Sequence, residues 1–537
     1  MPQGREITVS IFAGISFIVV VLLVGLYAFL RSRKINTKNS DGYFMGGRSL
    51  TGFTIASTII MTNLSTEQIV GQNGQSFMAG MEVMAWEVTA AVAIVILALV
   101  FLPRYFRYGV DTISDFIELR FDTFTKRLVS LLFIFTYVVS FLPVVLYSGA
   151  LVFNKIFNIS EMLNISDMTA VVLISTFIGI FGIIYLFIGG LSLSAHSDSI
   201  YGIGLIIGGL AIPVLGLILF GNGSLLHGFD KVVQNTPEKL NSLGAIDSDI
   251  VPWPTLFFGM FFNNLFFWCT NQMIVQKALA GKNLKEAQKG AMFVGIFKIF
   301  GALFLVFPGV LAFNMLGDKV TNPDNAYPML VNEVLPGWAY GLFGAVIFGA
   351  ILSSFVGSLN STATLFSLDF YKSVINKEAT NKQVSRMGRI VTILVGVVVV
   401  IIAPMISIFP QGLYAVVQEF NGIYNMPLLV LILVGFFVKR TSRQGAKVMF
   451  ILHIVVYALS KVFLTDIHYL YVLSVLFFID LFVVLLFNKW KPSNEFDFNV
   501  NYAKVDITPW KYRYVVGAII IIVVIGTYIL FSPLGLA

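Results

Sequence analysis

Cysteine and histidine are nearly missing from this chain: 537 residues hold one Cys and four His. The lone Cys269 excludes a disulfide framework and argues against a thiolate metal site. His196, His227, His453 and His468 show no metal-ligand spacing, and no glycine-rich phosphate loop follows a strand pattern. Charge is scarce too, with Asp, Glu, Lys and Arg making up 12%. No polar stretch is long enough for an ATPase domain, so work driven by nucleotide hydrolysis would need another chain. The net charge of +7 is explained by the placement of basic loops, and a nucleic-acid partner is not needed.

What fills the chain instead is apolar. Hydrophobic residues make up 57% and mean hydropathy is +0.87, well outside soluble globular norms. About fourteen apolar runs can each cross ~30 Å of hydrocarbon. They lie at roughly 7–30, 51–72, 80–103, 128–156, 168–188, 197–221, 253–278, 290–317, 337–368, 388–408, 411–438, 446–464, 467–488 and 512–534. This pattern predicts an all-α integral membrane protein of about 14 transmembrane helices in a lipid bilayer. The first run is too long for a signal-peptide core and lacks a convincing cleavage site, which predicts a retained helix. Lys and Arg near helix ends stay on the cytoplasmic side. Basic clusters at 31–48, 104–127, 277–289, 372–389, 439–447 and 489–513 all fall on one side of a fourteen-helix count. The expectation is a multi-pass protein of the bacterial inner membrane with both termini extracytoplasmic.

Ionisable groups inside such runs are costly and mark function. Glu87 in MAWEVTAA and Lys298 in GIFKIFGA each reach ~12–14 Å deep at ~1.5 Å per residue, on helices of opposite direction. Two opposite charges thus meet at one level; a structural ion pair is the plainer alternative. Gln68, Asn264 and Gln418 bring amides to comparable depth. One amide alone would be packing glue, but several beside a charge pair make a site. Trp86, Phe266, Phe267, Trp268 and Tyr414 adjoin them. Rings against C–H faces, with amides and charges at the edge, suit a sugar, although packing is open to each ring in a chain with 51 Phe.

A second polar cluster, SSFVGSLNSTATLFSLDFY, begins at Ser353 and Ser354. Small hydroxyl residues let helices approach closely, and they can also supply part of a sodium ion's oxygen shell. MTNLSTEQ, at 61–68, can supply the rest. A helix unwound around 63–65 frees carbonyls, tolerated at membrane depth only where they line a cavity or hold an ion. The seventh run carries a partner interruption, NN at 263–264 and then TNQ at 270–272. Paired interrupted spans point to an inverted-repeat transporter with a midplane site.

With these motifs the chain resembles the sodium/solute symporter family, in particular its bacterial sodium/galactose symporters and still more its uncharacterised enterobacterial members. YFMGGRSL, NLSTEQIVG, YGIGL, NQMIVQKALAGKNLKEAQKG and SSFVGSLNSTATLFSLDFY occur in order and at family spacing, from about Asp41 to about Ser442. The resemblance implies an inverted five-plus-five repeat core with two interrupted helices. The first repeat would span 51–221 (runs 2–6) and the second 253–438 (runs 7–11). An extra helix and loop at 1–50 and three peripheral helices at 446–537 would flank them. It implies sodium-coupled import of a small polyhydroxylated solute, such as galactose or glucose, by alternating access, with no enzyme chemistry. Solute contacts would be Gln68, Glu87, Asn264, Lys298 and Gln418, with Trp86, Phe267 and Tyr414 as gate or stacking rings. Sodium, one per solute, would bind the carbonyls of Met61, Leu64 and Ala350 and the hydroxyls of Ser353 and Ser354. Asp198 in SAHSDSIYG matches an acidic residue on the ion's way out, with a helix N-cap as the alternative. Phe267 stands where the galactose symporters have tyrosine, and Ala90 where they have serine, so the pocket keeps its charged pair and loses hydroxyls. The alternative is a carboxylated solute such as sialic acid. A carboxylate would want an unpaired Arg or a helix N-terminus, and no Arg lies inside a run.

Overall fold

The computed structural model describes residues 3–408 and 413–537 and is helical almost throughout. Among the described residues the only β pairings are two isolated bridges, Leu50 to Gly281 and Gly244 to Pro252. Ten helical stretches among them are long and apolar enough to cross a membrane. Two of these, Thr66–Tyr108 and Asp167–Phe220, take in more than one apolar run, whereas the seventh and eleventh runs form shorter helices. Leu22, Ile207, Ile401, Phe482 and Ile522 stand exposed on the outside of the bundle. So broad an apolar surface suits hydrocarbon as its solvent.

The stretch Gly337–Ile375 is 89% buried across its apolar window and Arg513–Leu530 only 17%, so the first is the centre of the bundle and the second its rim. The helix Tyr340–Leu365 packs there against Gly52–Asn63 and Asp167–Phe220. Its many Gly, Ala and Ser residues allow this close approach, as expected where lipid removes the hydrophobic incentive between helices.

The second run is broken. Gly52–Asn63 starts on Thr51, whose side chain accepts from the Thr54 N–H, and ends where Leu64 turns to φ −88°, ψ 67°. Thr66–Ala79 then begins anew, with Ser65 extended before it. The seventh run is broken at Thr270 and Asn271, between Gly259–Cys269 and Gln272–Leu279. Asn263 and Asn264, expected as part of that interruption, are helical instead. Their amides cross-link helices: Asn263 Oδ1 accepts from Asn425 Nδ2 at 2.9 Å, and Asn264 Nδ2 donates to Thr89 Oγ1 at 2.7 Å.

A loop expected at 189–196 is also helix. Asp167–Phe220 is two helices joined directly at Gly190, whose φ of +55° and ψ of −154° are not helical. A Cβ there would lie 2.4 Å from the Tyr43 carbonyl oxygen, so the junction requires glycine. Asp198 therefore sits inside a helix, and the N-cap alternative is corrected: its side chain has no helix start to cap.

Candidate solute and ion sites

Unwinding at Leu64 and Ser65 takes helical donors away from the carbonyls that precede it. Ser354 faces them from the central helix. Its Oγ donates to the carbonyls of Met61 at 3.2 Å and Thr62 at 2.9 Å. Thr62 Oγ1 lies 3.3 Å from Ser353 Oγ. Leu64 is buried beside them, and Ala350 is buried one turn before Ser354. This is a set of uncharged carbonyl and hydroxyl oxygens, hard donors that suit an alkali cation and not a soft transition metal. Among the described residues no group of His, Cys, Asp and Glu is placed to hold a metal ion.

One turn earlier, Thr58 Oγ1 donates to Asp198 Oδ2 at 2.6 Å, and Ser194 Oγ approaches the same oxygen at 3.4 Å. The Thr58 carbonyl accepts from Lys277 Nζ at 3.2 Å, deep inside the protein. Thr58 and Thr62 were not singled out in the sequence, and Lys277, counted there among the basic residues of a cytoplasmic loop, is instead buried in the helix Gln272–Leu279. The signal for the threonines was available: TIIMTN sets them four residues apart, on one helix face.

The charge pair forms. Lys298 Nζ donates to Glu87 Oε2 at 2.5 Å, and both side chains are buried. Gln68 Nε2 and Gln72 Nε2 donate to the other oxygen at 2.6 and 2.9 Å. The Lys298 ammonium also lies 5.0 Å from the centre of the Trp268 ring, a cation–π contact. Gln68, Asn264, Lys298 and Gln418 line a cavity that has Trp86 and Phe267 in its walls. Glu87 stands behind that lining and meets it through Gln68 and Lys298. The side chain of Tyr414 lies outside the described residues. Asn63, Glu67 and Asn421 line the cavity as well, although the sequence pattern assigned them no contact.

Residues 43–452 match the sodium:solute symporter family. The chain belongs to that family. It is a sodium-coupled membrane transporter of small solutes and not an enzyme. An uncharacterised symporter of Escherichia coli K12, YidK, is 44% identical over 516 residues, covering 96% of this chain and 90% of its own length. A sodium/glucose cotransporter of Vibrio parahaemolyticus is 29% identical, over 80% of this chain and 81% of its own. The solved structure of a Na+-coupled sialic acid symporter has the same fold, with a TM-score of 0.77 over 90% of this chain and 99% of that one, at 19% identity. At such low identity the likeness speaks for the fold alone.

Proposed function

We propose that this symporter imports a small polyhydroxylated solute, most simply a monosaccharide such as galactose or glucose. One observation carries the reading: a buried carboxylate–ammonium pair, hydrogen-bonded to Gln68 and Gln72, backs a cavity walled by Trp86 and Phe267. Hydroxyl groups both donate and accept, so they can share Gln68, Asn264, Lys298 and Gln418 at the edge of a ring while the aromatics take its C–H face. The sodium/glucose cotransporter among the relatives fits this chemistry. A carboxylated solute fits less well. Among the described residues the lining carries one cation, Lys298, and Glu87 already holds it.

Sodium is assigned to the carbonyls of Met61, Leu64 and Ala350 and the hydroxyls of Ser353 and Ser354. There it would tie the broken second run to the central helix and favour the conformation that accepts solute from outside. Coupling is then the differential affinity of each ligand for two conformations, and it must be reciprocal. Asp198, hydrogen-bonded to Thr58 one turn before Thr62, would take the ion on its way to the cytoplasm. The proposed frame is fourteen helices, ten of them in two inverted five-helix repeats, 51–221 and 253–438, with both termini extracytoplasmic.

Thermal stabilisation of purified protein, with and without sodium, tests the reading against monosaccharides, inositols and sialic acids. Sodium-dependent stabilisation by a neutral sugar or inositol is the expected result. Stabilisation by sialic acid alone would transfer the assignment to carboxylated solutes.

A further inference from the structure

The eleventh run holds a third break, between the helices Leu413–Gly422 and Asn425–Phe437. The Met426 N–H, which would carry helical bonding across to the Gly422 carbonyl, donates instead to Asn425 Oδ1 at 2.7 Å. That carbonyl accepts from His453 Nε2 at 3.0 Å. A carbonyl can only accept, so Nε2 carries a hydrogen. At the other ring nitrogen, Asp480 Oδ2 braces the imidazole, 2.8 Å from Nδ1. His453 and Asp480 lie on Arg443–Phe463 and Tyr469–Trp490, C-terminal to the proposed repeats, and both are fully buried. Ionisable groups inside apolar helices are costly, and two that line neither the solute cavity nor the ion cluster need another reason. Joining their own two helices would take only the contact between them, whereas His453 also reaches Gly422. Glycine permits that approach: a Cβ on Gly422 would lie 2.1 Å from Tyr457 Oη, and the Tyr457 ring lies nearly parallel to that of His453. Gln418 stands one helical turn before Gly422 and Asn421 immediately before it, and both line the solute cavity.

We propose that His453 is a positioning residue for the solute site: braced by Asp480, it holds the Gly422 carbonyl and so fixes the end of the helix that presents Gln418 and Asn421 to the cavity. Two helices outside the proposed repeats thereby take part in solute recognition. Tyr424 secures the same junction from the other side, its Oη accepting from Thr136 Oγ1 and donating to Asn421 Oδ1, each at 3.2 Å. Loss of the His453 bond would free the helix end to tilt about Ile423 and carry both amides out of place. The proposal rests on the reading of that cavity as the solute site.

Full-length variants test it. A glutamine amide reaches about where Nε2 stood and an asparagine amide only about as far as Nδ1, so His453→Gln keeps a donor for Gly422 and His453→Asn loses it. His453→Phe with Asp480→Leu removes both ring contacts and strands no buried charge. The probe is whichever monosaccharide, inositol or sialic acid stabilises the wild type, so a solute other than sugar leaves the test intact. His453→Asn and the double variant should weaken probe affinity by about tenfold, the size of one lost hydrogen-bonded contact, and His453→Gln should stay within about threefold of wild type. Sodium affinity without probe should stay within about twofold in all of them, since the ion cluster is untouched. Amide hydrogen exchange over residues 417–426 should quicken in the first two and not in His453→Gln. Folded His453→Asn or double variant with wild-type affinity, or equal losses in His453→Gln and His453→Asn, overturns the proposal. Gln418→Ala tells this failure from that of the cavity reading. If it alone loses affinity, the role of His453 falls; if it too keeps wild-type affinity, the cavity reading falls and hydrogen exchange still decides whether His453 fixes the helix end. Exchange also decides where no compound stabilises the wild type, unchanged rates overturning the proposal. If neither His453→Asn nor the double variant folds, the pair serves stability alone and the proposal falls.

Discussion

At Thr270 and Asn271 the protein closes its own break. Tyr137 Oη donates to Asn271 Oδ1 at 2.5 Å and accepts from the Met273 N–H at 3.3 Å, while Thr270 Oγ1 donates to the Phe266 carbonyl at 2.8 Å. At Leu64 and Ser65 the closure is partial. Ser354 serves two carbonyls, but Asn63 Oδ1 and Glu67 Oε2 have no partner, and both residues face the cavity. Buried polar groups are almost always paired, so a break that leaves some unpaired is asking for a ligand. A break completed internally can act as a joint without binding anything. The difference separates two interruptions that look alike in sequence.

The largest expected effect is at the charge pair behind the first break. Glu87→Gln or Lys298→Met alone strands a buried charge and should destabilise by ~3–5 kcal/mol, whereas the double substitution should cost less. Thermal unfolding should show the double variant recovering as folded protein, and proteoliposome uptake should show it inactive. Accumulation of solute by the double variant would reassign the pair to structure.

Leu64→Ala separates backbone from side chain at the same place. Leu64 is fully buried, so losing its side chain should destabilise by ~2–5 kcal/mol. Its carbonyl is untouched, and the sodium concentration for half-maximal uptake should stay within about twofold, well under the tenfold that ~1.4 kcal/mol represents. A large sodium shift would mean that the side chain, and not the backbone, shapes the ion site.

Ser353→Ala with Ser354→Ala should do the reverse. The sodium requirement should rise by about tenfold or more, ~1.4 kcal/mol, with solute affinity at saturating sodium little changed. Sodium titration of uptake measures this directly, and an unaltered titration would remove the ion from this cluster.

The smallest effect belongs to the second break. Tyr137→Phe deletes the hydroxyl that joins Asn271 to Met273 and should cost ~1 kcal/mol of stability. Sodium and solute affinities should both stay within about twofold, since a purely structural closure contributes equally with and without ligand. A strong loss of either affinity would end the contrast between the breaks and give both a ligand.

Much of this protein is written in local pattern. Long apolar runs leave a backbone in lipid no choice but helix, because every N–H and C=O must find a partner within its own segment. The depth of Glu87 and Lys298 follows from counting along such helices, and so does the expectation that they meet. The polar run MTNLSTEQ announces a break for the same reason. Pairing between distant segments is not local, and there the tertiary structure decided. Asn263 and Asn264 read as an interruption but stay helical, because Asn425 and Thr89 satisfy them from other helices. Asp198 resembles a cap in sequence, yet its helix already begins just after Gly190, the turn that fits against the Tyr43 carbonyl, two turns earlier. Glu87 lies behind the cavity lining because Gln68, Gln72 and Lys298 close over it. Asn63 and Glu67, two letters in the same polar run, stand apart from their neighbours because the fold leaves one side-chain oxygen of each unpaired. A sequence states which groups need partners; only the folded chain leaves some of them without one.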